Sequence, residues 1–198
     1  MHVEVKSAGG VSLIPVETRH FSKRRVHLRG EITMESANAL DDAVALLNDE
    51  STTEPIDLYI TSGGGDIEAG RYIYDIITAP GCAPIRAHAQ GVAASMAAVI
   101  FAAAASRDML PGTRLMLHQP LLGGPVRGNA SDIQAISEEL LEARRQMDEL
   151  LAKHTGRTLE EIREKTGKDS WFTAQEAVEF GLADRICSYS EMMGFGRE

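Results

Sequence analysis

The chain has 198 residues, enough for one domain that buries roughly 70% of its unfolded surface, so no second domain is required. With 29 acidic against 20 basic residues, a net charge of −9 and a pI near 5.2, it opposes both a phosphate backbone and an anionic lipid surface, which excludes nucleic acid as an expected partner. Cys82 and Cys187 lie far apart, with no CxxC spacing and no cluster of ligand-type residues around them, so neither a zinc site nor a disulfide framework is expected and a reducing cytoplasm fits.

The first residues lack the apolar core of a signal peptide. Residues 1 to about 24 show no sustained period and contain Gly9, Gly10 and Pro15, so they read as an arm of loop and short strand. The basic cluster from Arg19 to Arg25 reads as the solvated start of a strand. From Arg25 onward short strand candidates, Val26–Leu28, Ile56–Ile60, Ile85–Ala89 and Arg114–Leu117, alternate with helical segments, a pattern that predicts an α/β fold.

Thr33 is placed to cap a helix in which Met34, Ala37, Leu40, Val44 and Leu47 recur at helical spacing, ending near Asn48. Ser62, Gly63, Gly64 and Gly65 follow the strand Asp57–Thr61, where glycines let another group approach the backbone closely. They do not form a nucleotide-phosphate loop, since Glu68 stands where a third small residue is needed and no G-x-x-x-x-G-K-[ST] run exists. The apolar stretch from Val92 to Ala105 falls short of the roughly 18 residues of a membrane span and has the alanine content of a helix packed inside a protein, so no membrane partner is expected.

Three later helices are predicted to open with a capping box: Ser131 with Gln134, Thr158 with Glu161, and Thr173 with Glu176. The first of these runs from Asp132 to about His154, with Ile133, Ile136, Leu140, Met147 and Leu151 on one side, charge elsewhere, and Gly156 as its stop. A helix of that length in a chain this small is expected to protrude, and its apolar stripe then needs a second surface, which favours a homo-oligomer. Gly181 ends the last helix, and Ile186 closes a final strand before a polar tail.

Ser95 sits where the strand exit at Gly91 meets the start of a helix, so unpaired backbone amides, that of Met96 foremost, point at its hydroxyl. The spacing is not G-x-S-x-G, and an α/β-hydrolase elbow is not predicted. His118 ends an apolar strand and precedes the turn residues Gln119 and Pro120, a suitable place for a base, and Asp169 supplies an acid. On spacing alone, Asp66, Asp75 and Asp132 compete with Asp169 for the histidine.

Six blocks, in order Ser62–Gly65, Gly91–Met96, Leu115–Pro120, Ala130–Ile133, His154–Gly156 and Ala174–Asp184, closely resemble the proteolytic subunit of Clp proteases, over about residues 25 to 187. The resemblance implies a ClpP/crotonase-like fold of repeated strand-strand-helix units as one domain over residues 1–198, with residues 1–24 as an N-terminal arm and about 130–155 as a protruding handle helix. It implies Ser95 as nucleophile, His118 as general base, Asp169 as orienting acid, and the amides of Gly65 and Met96 as the oxyanion hole. It further implies a serine endopeptidase that needs no cofactor or metal and cuts unfolded polypeptide inside a chamber. That chamber is built from seven-subunit rings, two of them stacked, and is fed by a separate AAA+ unfoldase that holds the ATP.

Three departures from the family pattern stand out. Gly63 replaces the usual proline of the glycine loop, which removes a fixed φ and predicts a less ordered loop. Gly167 and Lys168 replace an acid-arginine pair that joins rings in relatives, and lysine lacks the bidentate fork. Tyr59 survives from the apolar docking cleft for the unfoldase, whereas Asp57 and the stretch 78–82 do not suit one. Three other readings stand beside the peptidase: an acyl-CoA enzyme on the related fold, a catalytically latent scaffold subunit of a mixed ring, and a phage-type peptidase that works without an unfoldase.

Overall fold

A computed structural model describes residues 1–7, 10–125 and 127–195; Gly9, part of the expected break in the arm, lies outside them, as do the last residues of the expected polar tail. The arm is more regular than its composition predicts. Strands β1 (His2–Ser7) and β2 (Gly10–Pro15) pair antiparallel as a separate hairpin, and helix α1 (Val16–Phe21) leads into the body.

Three parallel strands carry the architecture, β3 (Arg25–Ile32), β4 (Ile56–Gly65) and β5 (Ile85–Ala94), each followed by a helix: α2 (Met34–Glu50), α3 (Ile67–Thr78) and α4 (Met96–Ala103). Their inward side chains, Leu28, Leu58, Ile60, Ile85 and Ala87, are at most 2% exposed and meet the apolar faces of the helices in one core. Every residue of α4 is buried, as a helix apolar on all sides must be. Strands β6 (Ser106–Met109) and β7 (Arg114–Leu117) then follow, and β6 was not evident from the apolar run before it.

All three parallel strands break register at one level. Between the partner pairs Arg29/Thr61 and Glu31/Gly64, β3 has Gly30 where β4 has Ser62 and Gly63; between Ile60/Ala89 and Ser62/Ala93, β4 has Thr61 where β5 has Gln90, Gly91 and Val92. Gly30 and Gly91 take φ of +75° and +71°, a conformation that favours glycine. These bulges turn the strands. Below the turn β5 pairs with β6 through Arg86–Ala89; above it, Val92–Ala94 pair with β7 instead. The upper ends, Glu31–Ile32, Ser62–Gly65 and Val92–Ala94, thereby follow a changed register while Ile32 and Ala93 still contribute to the core.

Helix α5 (Ala130–Thr155) is capped by Asn129 with Asp132, not by Ser131 with Gln134: Asn129 is extended and accepts the amides of both Ser131 and Asp132. Asn129 wins because its carbonyl reaches two free amides at once, and the resulting helix starts earlier than the sequence pattern suggests. Only Met147, Asp148 and Leu151 of α5 are buried, while Ile133 and Leu141 in its first half are 50% and 60% exposed. The expected boxes Thr158/Glu161 and Thr173/Glu176 open α6 (Leu159–Thr166) and α7 (Ala174–Phe180). Strand β8 (Ser170–Phe172) pairs antiparallel with β7, β9 (Arg185–Ile186) pairs with β6, and the tail begins with a further capped helix, α8 (Tyr189–Met192).

Two polar features secure these additions. The Arg107 guanidinium donates to Asp184, to the carbonyl of Gly181 at 2.8 Å and to that of His154 at 3.1 Å, so one side chain satisfies the ends of α7 and α5. His27, Tyr59 and His88 lie in register across β3, β4 and β5 with their rings stacked at 5.2 Å and 4.8 Å. Burial pushes the Tyr59 phenol up to about 12, and its hydroxyl donates to the Met192 carbonyl at 3.3 Å, which ties α8 down over the stack. Among the described residues no helix is long and apolar enough to cross a membrane.

His27 makes folding sensitive to acid. Burial first, then the Arg29 charge with smaller contributions from His20 and Arg25, lowers its pKa from 6.5 to about 4, with Glu17 opposing. The unfolded chain therefore binds a proton more readily than the folded one, and this contribution to stability is complete above pH 6.5 and lost as pH falls from 6.5 towards 4. Melting temperature is expected to drop across that window and His27→Gln to flatten the drop; an unchanged slope in the variant would assign acid sensitivity to other groups.

Candidate active site

Ser95 occupies the junction the sequence suggests, but its backbone is less ordinary than expected, with φ +56° and ψ −127° in a residue that is not glycine. Its amide donates to the Met116 carbonyl of β7 at 2.8 Å, and its carbonyl accepts from Ala98 at 3.0 Å. The strand thus ends and the helix begins within one residue, which leaves the hydroxyl proud of both. A strained serine elbow is therefore present without the G-x-S-x-G spacing. The space it needs comes from elsewhere in the chain: a β-carbon on Gly64 would stand 2.7 Å from the Ser95 β-carbon and 2.8 Å from the Ala94 oxygen. Gly70 of α3 packs beneath Met96 less restrictively, since a β-carbon there would fall 2.5 Å from the methionine Cε, the end of a side chain that can turn aside. Local sequence identifies neither role, because both depend on a neighbouring element.

Gly65 lies against β3 so closely that a β-carbon would meet the Ile32 oxygen at 2.3 Å. The glycine run is consequently strand, paired through Gly64 with Glu31 and through Gly65 with Ile32, and is not the free loop that the missing proline predicts. The buried Ser62 hydroxyl accepts the Gly64 amide at 3.1 Å and holds the turn from inside. On the other side of Ser95, the Met96 amide stands in the first turn of α4, where helix amides lack helical partners.

His118 immediately follows β7, and its Nε2 is 2.8 Å from the Ser95 hydroxyl. The ring is largely covered, its side chain 16% exposed. Asp169 reaches the other nitrogen by strand register: Leu117 is the partner of Ser170, so the next positions bring His118 and Asp169 together. Their Nδ1 to Oδ1 distance is 3.5 Å and the carboxylate is 67% exposed, an ion-pair contact longer than a hydrogen bond. A buried relay braces this end of the site. Asp148 of α5 accepts the Thr166 hydroxyl at 3.0 Å, and the Thr166 carbonyl accepts the Gln119 amide at 2.8 Å.

Two of the competing acids are engaged elsewhere, and the third stands apart on the helix surface. Asp66 caps α3 by accepting the Ala69 amide at 2.8 Å, Asp132 accepts the Asn129 amide at 2.9 Å, and Asp75 is exposed on α3. Among the described residues no group of three or more His, Cys, Asp or Glu side chains is arranged to hold a metal ion. Both cysteines are free, Cys82 exposed and Cys187 buried. Tyr59, the expected survivor of a docking cleft, is only 1% exposed, and Asp57 beside it pairs with Arg86 at 2.7 Å and His88 at 3.0 Å.

A nucleophile on a strained turn, a histidine in hydrogen-bond contact with it, and an acid behind the histidine suit hydroxyl activation for acyl transfer. Comparison with known proteins agrees. The Clp protease family model matches residues 9–190. The ATP-dependent Clp protease proteolytic subunit 2 of Corynebacterium glutamicum is 39% identical over 175 residues, covering 87% of this chain and 86% of the relative. Subunit 2 of Mycolicibacterium paratuberculosis is 40% identical over 173 residues, covering 86% and 85%, and subunit 1 of Mycobacterium tuberculosis is 39% identical over 188 residues, covering 93% and 92%. A match along nearly the whole chain, with relatives this similar over most of their own length, establishes that the chain belongs to the Clp protease family of serine endopeptidases.

Proposed function

We propose that this chain is a single-domain peptidase subunit that hydrolyses unfolded polypeptide through Ser95. The observation that carries the reading is the 2.8 Å contact between the Ser95 hydroxyl and His118 Nε2. In the proposed reaction His118 takes the hydroxyl proton as Ser95 Oγ attacks the scissile carbonyl, then returns it to the departing amine. Water, deprotonated by the same imidazole, releases the acyl group. Asp169 keeps the Nδ1 proton directed at itself and so leaves Nε2 free to accept. The amides of Gly65 and Met96 receive the developing oxyanion, and loss of one such donor raises a barrier by about 2.7–4 kcal/mol.

The same reading covers assembly and supply. The exposed Ile133 and Leu141 of α5 support self-association through the 130–155 handle, in rings of seven stacked in pairs around a chamber. Residues 1–24 form the arm of the domain. A separate AAA+ unfoldase delivers the chains, in the cytoplasm, and this subunit needs no cofactor of its own. The exposed Asp169 and its 3.5 Å contact favour a second reading of the resting state, in which the lone chain is latent and assembly or a partner subunit tightens the acid onto His118.

A fluorophosphonate probe is expected to add one adduct, mapped by peptide mass spectrometry to Ser95, and Ser95→Ala is expected to lose both adduct and peptidase activity while sedimenting as the wild type does. Labelling at another residue, or activity retained by the variant, would remove Ser95 as nucleophile. Asp169→Asn is expected to lower kcat/KM while leaving measurable labelling, because the exposed acid orients the base and does not react; activity equal to wild type would show that another group holds the imidazole. Gly64→Ala forces the Ser95 turn to move, and a shift of an ångström is worth about 100-fold in rate. Its kcat/KM should fall by about that factor with the fold retained by circular dichroism, whereas an unchanged rate would mean that this close packing does not position the nucleophile.

A further inference from the structure

A groove of about 760 Å³ opens beside the candidate site, between the upper ends of β3 and β4, α3 and the handle helix α5. It adjoins the reacting atoms through its own lining. Gly65 forms part of it, and Glu31 is the register partner of Gly64, the glycine packed on Ser95. Leu121 and Leu122, which follow the His118 turn, form another part and are 66% and 48% exposed. With Ile136 and Leu140 of α5 they make an apolar wall.

The rest of the lining carries one sign of charge. Glu31, Asp66, Glu68, Glu139 and Glu142 line the groove against a single cation, Arg71. Arg71 is committed already, to Glu68 at 3.0 Å and to the Gln146 side chain. Glu142 is likewise committed: hydrogen bonds from Arg145 and Gln146 hold its carboxyl down at about 2. Asp66 caps α3. Among the described residues, Glu31 and Glu139 stand in no ion pair, and they belong to opposite sides of the groove, one on β3 and one on α5.

We propose that this groove is a specificity subsite for a lysine or arginine side chain close to the scissile bond of the polypeptide, with Glu31 and Glu139 as the residues that select it. This rests on the reading of Ser95 as the nucleophile. The chemistry of the lining matches that side chain along its length: a methylene stem lies against Leu121, Leu122, Ile136 and Leu140, and a cationic head reaches carboxylates that have no other partner. A leucine or phenylalanine would fill the apolar wall but leave the acids without a counter-charge, and a glutamate would meet carboxylates of its own sign. The overall charge of −9 acts in the same direction by drawing basic segments of an unfolded chain towards the site.

The test is a competitive digest of a peptide mixture that varies lysine, arginine, leucine and glutamate at single positions around one cleavable bond, read by mass spectrometry as relative kcat/KM. Lysine and arginine are expected to exceed glutamate by about tenfold or more at one position, with the preference reduced in 1 M salt. The double variant Glu31→Gln, Glu139→Gln should lower the lysine-to-leucine ratio at that position about tenfold. A ratio that does not change in the double variant, or an equal rate for lysine and glutamate, would overturn the proposal. Binding of the same labelled peptides to Ser95→Ala, followed by fluorescence anisotropy, separates the two readings. If no peptide is cleaved and the fluorophosphonate leaves Ser95 unlabelled in the assembled wild type, while lysine peptides still bind Ser95→Ala more tightly than glutamate peptides, the hydrolytic reading falls and the groove assignment stands. If binding shows no such preference, the groove assignment falls whatever the enzyme cleaves.

Discussion

The close approach of the Gly64–Gly65 backbone to its neighbours is the constraint on which the candidate site depends. One glycine lies against Ser95 and the other against Ile32, at distances no β-carbon tolerates. Strand β3, strand β4 and the nucleophile turn are therefore locked in a single arrangement. The strained conformation of Ser95 persists because this packing, the Met116 carbonyl and the buried α4 together over-determine it.

That arrangement is prepared lower in the sheet. Gly30, the Thr61–Gly63 segment and Gly91 interrupt the three parallel strands at a common level, and the change of direction separates two tasks. Below it, apolar side chains alternate into a dense core. Above it, the strand ends present backbone amides, a serine and an acid to one opening. The break also lets β5 exchange β6 for β7, which brings His118 to Ser95 and, through β8, Asp169 to His118. Three residues far apart in the chain meet because one strand changes partner.

Charge has a comparable division. Charges that reach into the fold are matched there, as in the contacts of the largely covered Arg107 with Asp184 and the ends of α5 and α7 and of the buried Asp108 with the exposed Arg185. In the groove beside the nucleophile, acids outnumber the available cations. An excess of one sign in a cleft lined on one side by leucines is a property of recognition more than of stability, since exposed carboxylates of like charge contribute nothing favourable to folding.

Much of this was legible in the sequence. Helix α2 with its Thr33 cap, the α6 and α7 capping boxes, strand β7 and the alternation that implies α/β all depend on neighbours within a few residues, which a linear pattern records. Ser95 and His118 were legible as candidates for the same reason, each standing at the end of an apolar strand. The N-terminal hairpin, β6, β8 and α8 were not, because short elements of mixed composition gain their stability from pairing or from covering something else, such as the Tyr59 stack under α8. Nor could the local pattern choose among the acids: capping commits Asp66 and Asp132, and only antiparallel register carries Asp169 to the histidine. By itself the sequence determined the longer helices, the strands with a sustained apolar run, the fold class and the residue types available for chemistry, since these follow from local propensity and periodicity. The tertiary structure alone decided the strain at Ser95, the need for glycine at positions 64 and 65, and the shape and charge of the groove, because each arises where residues distant in the chain are forced into contact.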